Sequence, residues 1–201
     1  MRIQVLLAAA AVGVVAGISP AQALEWRLGV AYTSDVEEVA DLYEDNLRIE
    51  GFDASVELKF PLGVAAGVMY DWESGVRGDV TLGPAFFIGG EVDHFEMPLA
   101  VTVGYNFMRT ADISPYVRAG LIHHFASGDY YSSSTPGLIA AAGLDFERFS
   151  VELAVDTSEV EFDTFACDAG GANCRPGTVE FSTYDVLASV FWKFRTYGRR
   201  R

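Results

Sequence analysis

Between His94 and Phe107 the chain alternates strictly. Phe95, Met97, Leu99, Val101, Val103, Tyr105 and Phe107 share one side; Glu96, Pro98, Ala100, Thr102, Gly104 and Asn106 share the other. Successive side chains of a strand point to opposite faces, so this pattern predicts a strand with one apolar face and one small or polar face. The same period recurs along the chain. It predicts eight strands: Glu25–Thr33, Gly51–Phe60, Gly63–Glu73, the 94–107 segment, Pro115–Ala126, Gly137–Phe146, Phe149–Phe162 and Val179–Phe194.

The connectors between these strands alternate in length. Pro61–Leu62, Met108–Ser114 and Glu147–Arg148 are short, whereas Ser34–Glu50, Ser74–Asp93, Ser127–Pro136 and Ser158–Thr178 are long. Short turns at one rim and long loops at the other mark an up-and-down barrel that crosses a bacterial outer membrane, with its apolar face toward lipid. A secreted β-sandwich or a lipocalin-like barrel would instead bury the aromatics and turn the charges to water. Alternation alone does not say which face is inside, and it is the connector rhythm that favours the membrane barrel. The expected fold is an all-β, eight-stranded antiparallel transmembrane barrel with both termini in the periplasm.

The N-terminus agrees with export. Arg2, the apolar run Val5–Ile18 and the small-residue site Ala21-Gln22-Ala23 read as a signal peptide over residues 1–23, leaving 24–201 as one barrel domain. No later stretch is apolar enough to span as a helix, so spanning falls to strands. The formal charge of −14 argues against nucleic acid as a partner. Cys167 and Cys174 are the two cysteines, and in an exported chain a loop-closing disulfide is the default. A metal site is the alternative, although no histidine is near and only Asp168 stands beside them.

The segments His94-Phe95-Glu96-Met97-Pro98-Leu99, Gly104-Tyr105-Asn106-Phe107 and Pro115-Tyr116-Val117-Arg118-Ala119-Gly120 resemble the central hairpin of small OmpA/OmpX-type outer-membrane proteins. The last strand, with Trp192 and Phe194 outward, resembles the C-terminal signal of such barrels. In that family the strand commonly ends the chain on an aromatic, whereas here Arg195–Arg201 follows. The resemblance implies insertion by the barrel-assembly machinery of a Gram-negative cell. It also implies a monomer surrounded by outer-membrane lipid and lipopolysaccharide. It is nearly silent on activity.

Parity assigns the inward charges: Arg27, Lys59, Arg118 and Lys193 against Asp53, Glu57, Asp71, Glu96, Asp145, Glu152 and Asp185. An eight-stranded barrel is just wide enough for side chains to fill it, and buried charge is costly unless paired. The expected outcome is an ion-pair network plugging the lumen. The alternative is a narrow pore, which the acidic excess would make cation-selective. No catalytic, cofactor-binding or metal-ligating residue is assigned.

His123 and His124 are the one exception considered, because some small outer-membrane barrels are lipid A-modifying enzymes with a Ser–His–acid arrangement. His123 faces lipid near the rim with Ser127 on its face, and Glu159 or Glu161 could supply the acid. The spacing matches no catalytic motif, and such sites are recognised by geometry. In the first long loop Val36, Val39, Ala40, Tyr43 and Leu47 recur at helical spacing among many carboxylates. This loop reads as a solvated acidic segment, with a bridging role for Ca²⁺ or Mg²⁺ as the alternative. The apolar, β-prone second loop either extends its flanking strands or presents a patch. The Tyr/Ser-rich third loop has the composition of adaptable recognition loops, so an extracellular ligand would be met by the loops.

Overall fold

The computed structural model describes residues 24–34, 36–52, 62–90, 93–108, 111–167, 173–182 and 185–195. Eight antiparallel strands close a barrel: β1 (Leu24–Thr33), β2 (Leu62–Asp71), β3 (Val76–Ile88), β4 (His94–Asn106), β5 (Ser114–Gly128), β7 (Gly137–Asp145), β8 (Phe149–Asp156) and β11 (Asp185–Arg195). Among the described residues, one helix, α1 (Val36–Glu50), and a three-stranded sheet of β6 (Tyr131–Thr135), β9 (Glu159–Cys167) and β10 (Cys174–Ser182) lie between them. Closure is made by β1, which pairs with β2 on one side (Arg27 opposite Gly67) and β11 on the other (Arg27 opposite Lys193).

The wall is inside-out relative to a water-soluble protein. On β1 Trp26, Leu28, Val30 and Tyr32 are 41–51 % exposed, while Glu25, Arg27, Ala31 and Thr33 between them are at most 8 % exposed. The same holds around the circumference, with Val64, Leu82, Val103, Leu121, Leu138, Leu153 and Val190 exposed on their strands. Apolar area of this extent is stable only in contact with lipid, and a closed strand barrel leaves no backbone group unpaired in the hydrocarbon. The fold is therefore a transmembrane β-barrel. No helix among the described residues is long and apolar enough to cross a membrane.

Two expected elements are corrected. The strand expected at Gly51–Phe60 lies, from residue 53 on, outside the described residues; Gly51 is a turn, and in the closed barrel β1 pairs directly with β2. The eighth wall strand is β3, all of which lies in the stretch read as the second long loop, Ser74–Asp93. Val76, Val80 and Leu82 face outward while Arg77, Asp79 and Thr81 are buried, so the period of two was present there. The dipeptide Gly83-Pro84 hid it, since proline and glycine ordinarily end a strand. The barrel absorbs both in an irregularity between Leu82 and Phe86, where Gly83 takes a φ of 94° that favours glycine. In consequence β2 starts at the loop end of the barrel, with Leu62 opposite Tyr32, and finishes at the turn end, with Tyr70 opposite Leu24.

The expected seventh and eighth strands are each divided. β8 leaves the wall after Asp156, where Thr157 N donates to Leu138 O (2.9 Å) and Ser158 N to the Asp156 carboxylate (2.8 Å). β9 then pairs with β10 in the separate sheet, and β11 returns to the wall. Helix α1 buries Val36, Val39, Ala40, Tyr43, Asn46 and Leu47 along one face. It ends on Gly51 (φ 85°), with Phe52 N bonding to Leu47 O (3.0 Å) and Gly51 N to Arg48 O (3.2 Å), the pairing of a left-handed glycine cap.

Candidate functional site

The lumen is built in layers, because inward residues two apart on each strand stack along the barrel. Nearest the short turns, Arg77 lies against Asp71 (Nε to Oδ1, 2.8 Å) and also donates to Asp145. Lys193 reaches Asp145 (3.3 Å) and Glu25 (3.6 Å). Arg77 also covers the Tyr116 ring at 4.4 Å. One layer further in, Asp79 accepts from Arg27 (2.6 Å), Thr81 (2.6 Å) and Arg118 (3.4 Å). Arg118 holds Glu152 through two nitrogens (2.7 and 2.6 Å), and Tyr116 donates to the same carboxylate (2.9 Å). These pairings make burial of so much charge tolerable, because each ion meets an opposite charge in good geometry.

Above them lies an apolar layer of Ala100, Ile122, Ile139, Ala141, Ala154 and Leu187. Next comes a histidine–carboxylate chain. Glu96 lies between His94 (3.3 Å) and His124, and His124 Nε2 meets Asp156 Oδ2 (3.2 Å). Asp156 in turn accepts from Ser158 Oγ (2.6 Å). The chain reaches the outer cap through Tyr43, whose hydroxyl shares a hydrogen bond with His94 Nδ1 (3.1 Å).

The cap has its own apolar core: Val39, Ala40, Tyr43 and Leu47 of α1 with Ile88, Tyr130, Val160 and Phe162. Tyr43 meets Tyr130 and Phe162 edge-on, at ring centroid distances of 5.1 and 6.1 Å. Asn46 fastens α1 to β9 by donating to Asp163 O (2.9 Å) and accepting from Thr164 (3.0 Å). Burial raises the Tyr43 hydroxyl well above an ordinary phenol. Tyr130 is pushed up to about 12 by burial and by its hydrogen bond to Glu50 (3.0 Å). A disulfide joins Cys167 and Cys174 across the β9–β10 register.

Arg27, Glu96, Arg118, Asp145, Glu152 and Lys193 thus stand in the lumen, and Asp71 is at its turn-side mouth with a side chain 29 % exposed. Asp53, Glu57 and Lys59 lie outside the described residues, as does the Asp185 side chain. Parity reasoning missed Arg77 and Asp79 because they lay in the supposed loop. It missed His94 and Asp156 as partners because His94 meets Tyr43 of α1, 51 residues away, and Asp156 meets His124 of β5, 32 residues away. Among the described residues no hydrogen bond links His123 to Ser127, Glu159 or Glu161. The His123 ring packs on Phe125 at 4.8 Å, and Glu161 accepts instead from Ser133 (2.8 Å).

No family model and no curated protein matches the chain. Solved structures similar to it include the outer membrane protein OprG of Pseudomonas aeruginosa, at 13 % identity and a TM-score of 0.49, covering 87 % of this chain and 96 % of that one. The attachment invasion locus protein Ail of Yersinia pestis is similar at 16 % identity and a TM-score of 0.43, covering 86 % and 99 %. Outer membrane protein W of E. coli is similar at 14 % identity and a TM-score of 0.44, covering 88 % and 100 %.

Proposed function

We propose that the protein is an integral outer-membrane barrel that is closed to solutes and works through the cap it presents outside the cell. The observation that carries this reading is the filled lumen. Among the described residues, ion pairs, an apolar layer, a histidine–carboxylate chain and the Tyr43 cap core follow one another along the barrel. Eight strands enclose a space that side chains of this size can fill.

The outer-membrane location is supported by the lipid-facing apolar wall and by the signal-like leader over residues 1–23. The Cys167–Cys174 disulfide supports it too, because such bonds persist in oxidising compartments. Residues 24 and 195 share the rim of the short turns, and this supports a reading in which that rim faces the periplasm and the cap faces outward. The cap is acidic: Glu37, Glu38, Asp41, Glu44 and Asp45 of α1 stand against Arg48. In this reading the chain acts as a monomer without catalytic residues, cofactor or metal, and any ligand is met by the cap.

Purified protein in planar lipid bilayers checks the reading. We expect no unit conductance, and large stable channels would overturn it. Lipid A from cells with and without the protein should have the same acyl composition. An altered composition that reverts with His124→Ala would make the protein an enzyme instead.

A further inference from the structure

The three-stranded sheet of the cap has an open edge. Its order is β10-β9-β6, so among the described residues β10 pairs with β9 alone. β6, at the other edge, is held to the wall by Ser134 Oγ, which donates to His124 O (2.7 Å). Asp163 of β9 shows which way the backbone groups of β10 point. Its N–H donates to Tyr130 O (2.7 Å), and the C=O of a strand residue points to the same side as its N–H, here away from β10. Thr178, opposite Asp163, is therefore in a non-hydrogen-bonded pair, and the alternation of an antiparallel ladder puts Pro176 and Glu180 in the same class. The Cα atoms of Cys167 and Cys174, in the same class again, are 4.0 Å apart, the close spacing of such a pair. The N–H and C=O of Thr178 and Glu180, and the C=O of Pro176, thus point outward from the edge. Pro176 is tolerated there because its nitrogen faces away from the ladder.

The face beside this edge is acidic. Val179 and Phe181 pack on the cap core, which turns Thr178 and Glu180 to the exposed side. There Glu180 lies directly opposite Glu161, and Thr178 opposite Asp163. Like charges opposite one another destabilise a strand pair, and a basic side chain laid beside them relieves it. Arg175, the cation of the strand, shares the face of Val179 and does not offset them. We propose that the outer edge of β10 receives an extended cationic segment of a partner protein as a fourth strand. Its alternate lysine or arginine side chains lie along the face of Glu180 and Glu161. The outward groups of Thr178 and Glu180 supply the ladder, and the carboxylates select the partner. A second copy of this chain fits worse. Antiparallel self-pairing about Thr178 sets each Glu180 opposite a Pro176, which has no N–H to give, and lays one acidic face beside another. The proposal rests on the reading that the cap is the working surface, and it names the class of ligand.

The test uses the whole mature protein in lipid nanodiscs and a labelled peptide that alternates lysine and valine over about six residues, the usual length of a strand. Binding should protect the Thr178 and Glu180 amides from hydrogen exchange. Thr178→Pro removes an outward N–H without touching the β9 ladder, and Glu180→Lys reverses the charge. Each should weaken binding at least about tenfold. Protection of the Val179 and Phe181 amides, which bond to β9, shows that a variant keeps its hairpin. The same peptide methylated on alternate backbone nitrogens keeps its charge and should bind at least about tenfold more weakly. No binding to the wild type would overturn the proposal. Undiminished binding of the methylated peptide, or of the plain peptide to Thr178→Pro, would reduce the effect to bulk charge and overturn it as well. Wild-type dimers that Thr178→Pro abolishes would make a second copy the occupant instead. Cells displaying the protein repeat the titration: a peptide that binds the purified protein but not the cells would overturn the outward cap while leaving the edge standing.

Discussion

Arg118 grips Glu152 with two nitrogens, at 2.7 and 2.6 Å, where both side chains are at most 4 % exposed. The pair ties β5 to β8 across the lumen, 34 residues apart in sequence. Removing one partner strands the other charge in a site it cannot leave. Glu152→Gln or Arg118→Met should therefore cost about 3–5 kcal/mol, and the double replacement less than the sum of the two. Urea titration of the folded protein in phospholipid vesicles measures this, and additive single costs would refute the coupling.

The lipid face answers to depth in the membrane. Leu121 is 50 % exposed near the middle of β5, and Leu121→Arg should cost about 2–4 kcal/mol in the same titration. An arginine at Asp112, in the exposed turn before β5, should cost almost nothing. Equal costs at both positions would contradict a membrane-facing wall.

Tyr43 is the hinge between cap and barrel. Tyr43→Phe removes the hydrogen bonds of its hydroxyl, with His94 and with the Tyr130 backbone, and should cost about 1–2 kcal/mol. Tyr43→Ala also empties an aromatic site in the cap core and should cost about 3–5 kcal/mol. The loss should appear as faster proteolysis within α1 and β9, with the heat-modifiable migration of the barrel unchanged.

Alkali should loosen the same cap. A phenol in the unfolded chain ionises near 10, whereas Tyr130 is held up to about 12 by burial and by Glu50. The protonated form is favoured in the folded state, so the cap loses stability as pH rises from the unfolded value through the folded one. Tyrosinate absorbance should rise late in the wild type, and Tyr130→Phe should flatten the dependence of cap proteolysis on pH in that range.

Reduction of the Cys167–Cys174 bridge should act locally. Its loop is short (sequence separation 7), and loop-closure entropy gives it about 2–3 kcal/mol of hairpin stability. Because β9 and β10 pair with each other and not with the wall, a Cys167→Ser, Cys174→Ser protein should keep an intact barrel while the hairpin is cut faster by protease.

The barrel was legible in the sequence wherever alternation ran uninterrupted. β4, β5 and β7 fall within a residue or two of their expected limits, and parity placed Arg27, Arg118 and Glu152 inward because a slip of one residue would have put them in lipid. β3 was hidden by Gly83-Pro84, a local turn signal overruled by pairing on both sides. The breaks after Asp156 and after β10 coincide with a change of phase, from Val155 to Val160 and Phe162 and from Phe181 to Val186, a signal easily passed over because each side of the break keeps a period of two. The helical spacing around Tyr43 was visible. Its contact with His94 was not, for that depends on where α1 packs over the start of β4.

The cap core takes Tyr43 from the connection between β1 and β2, Tyr130 from that between β5 and β7, and Phe162 from that between β8 and β11. No single connection can form it. The outer surface therefore behaves as one inherited unit: a graft that exchanges one loop leaves the other two facing a mismatched neighbour, and altering what the cell displays means replacing all three together.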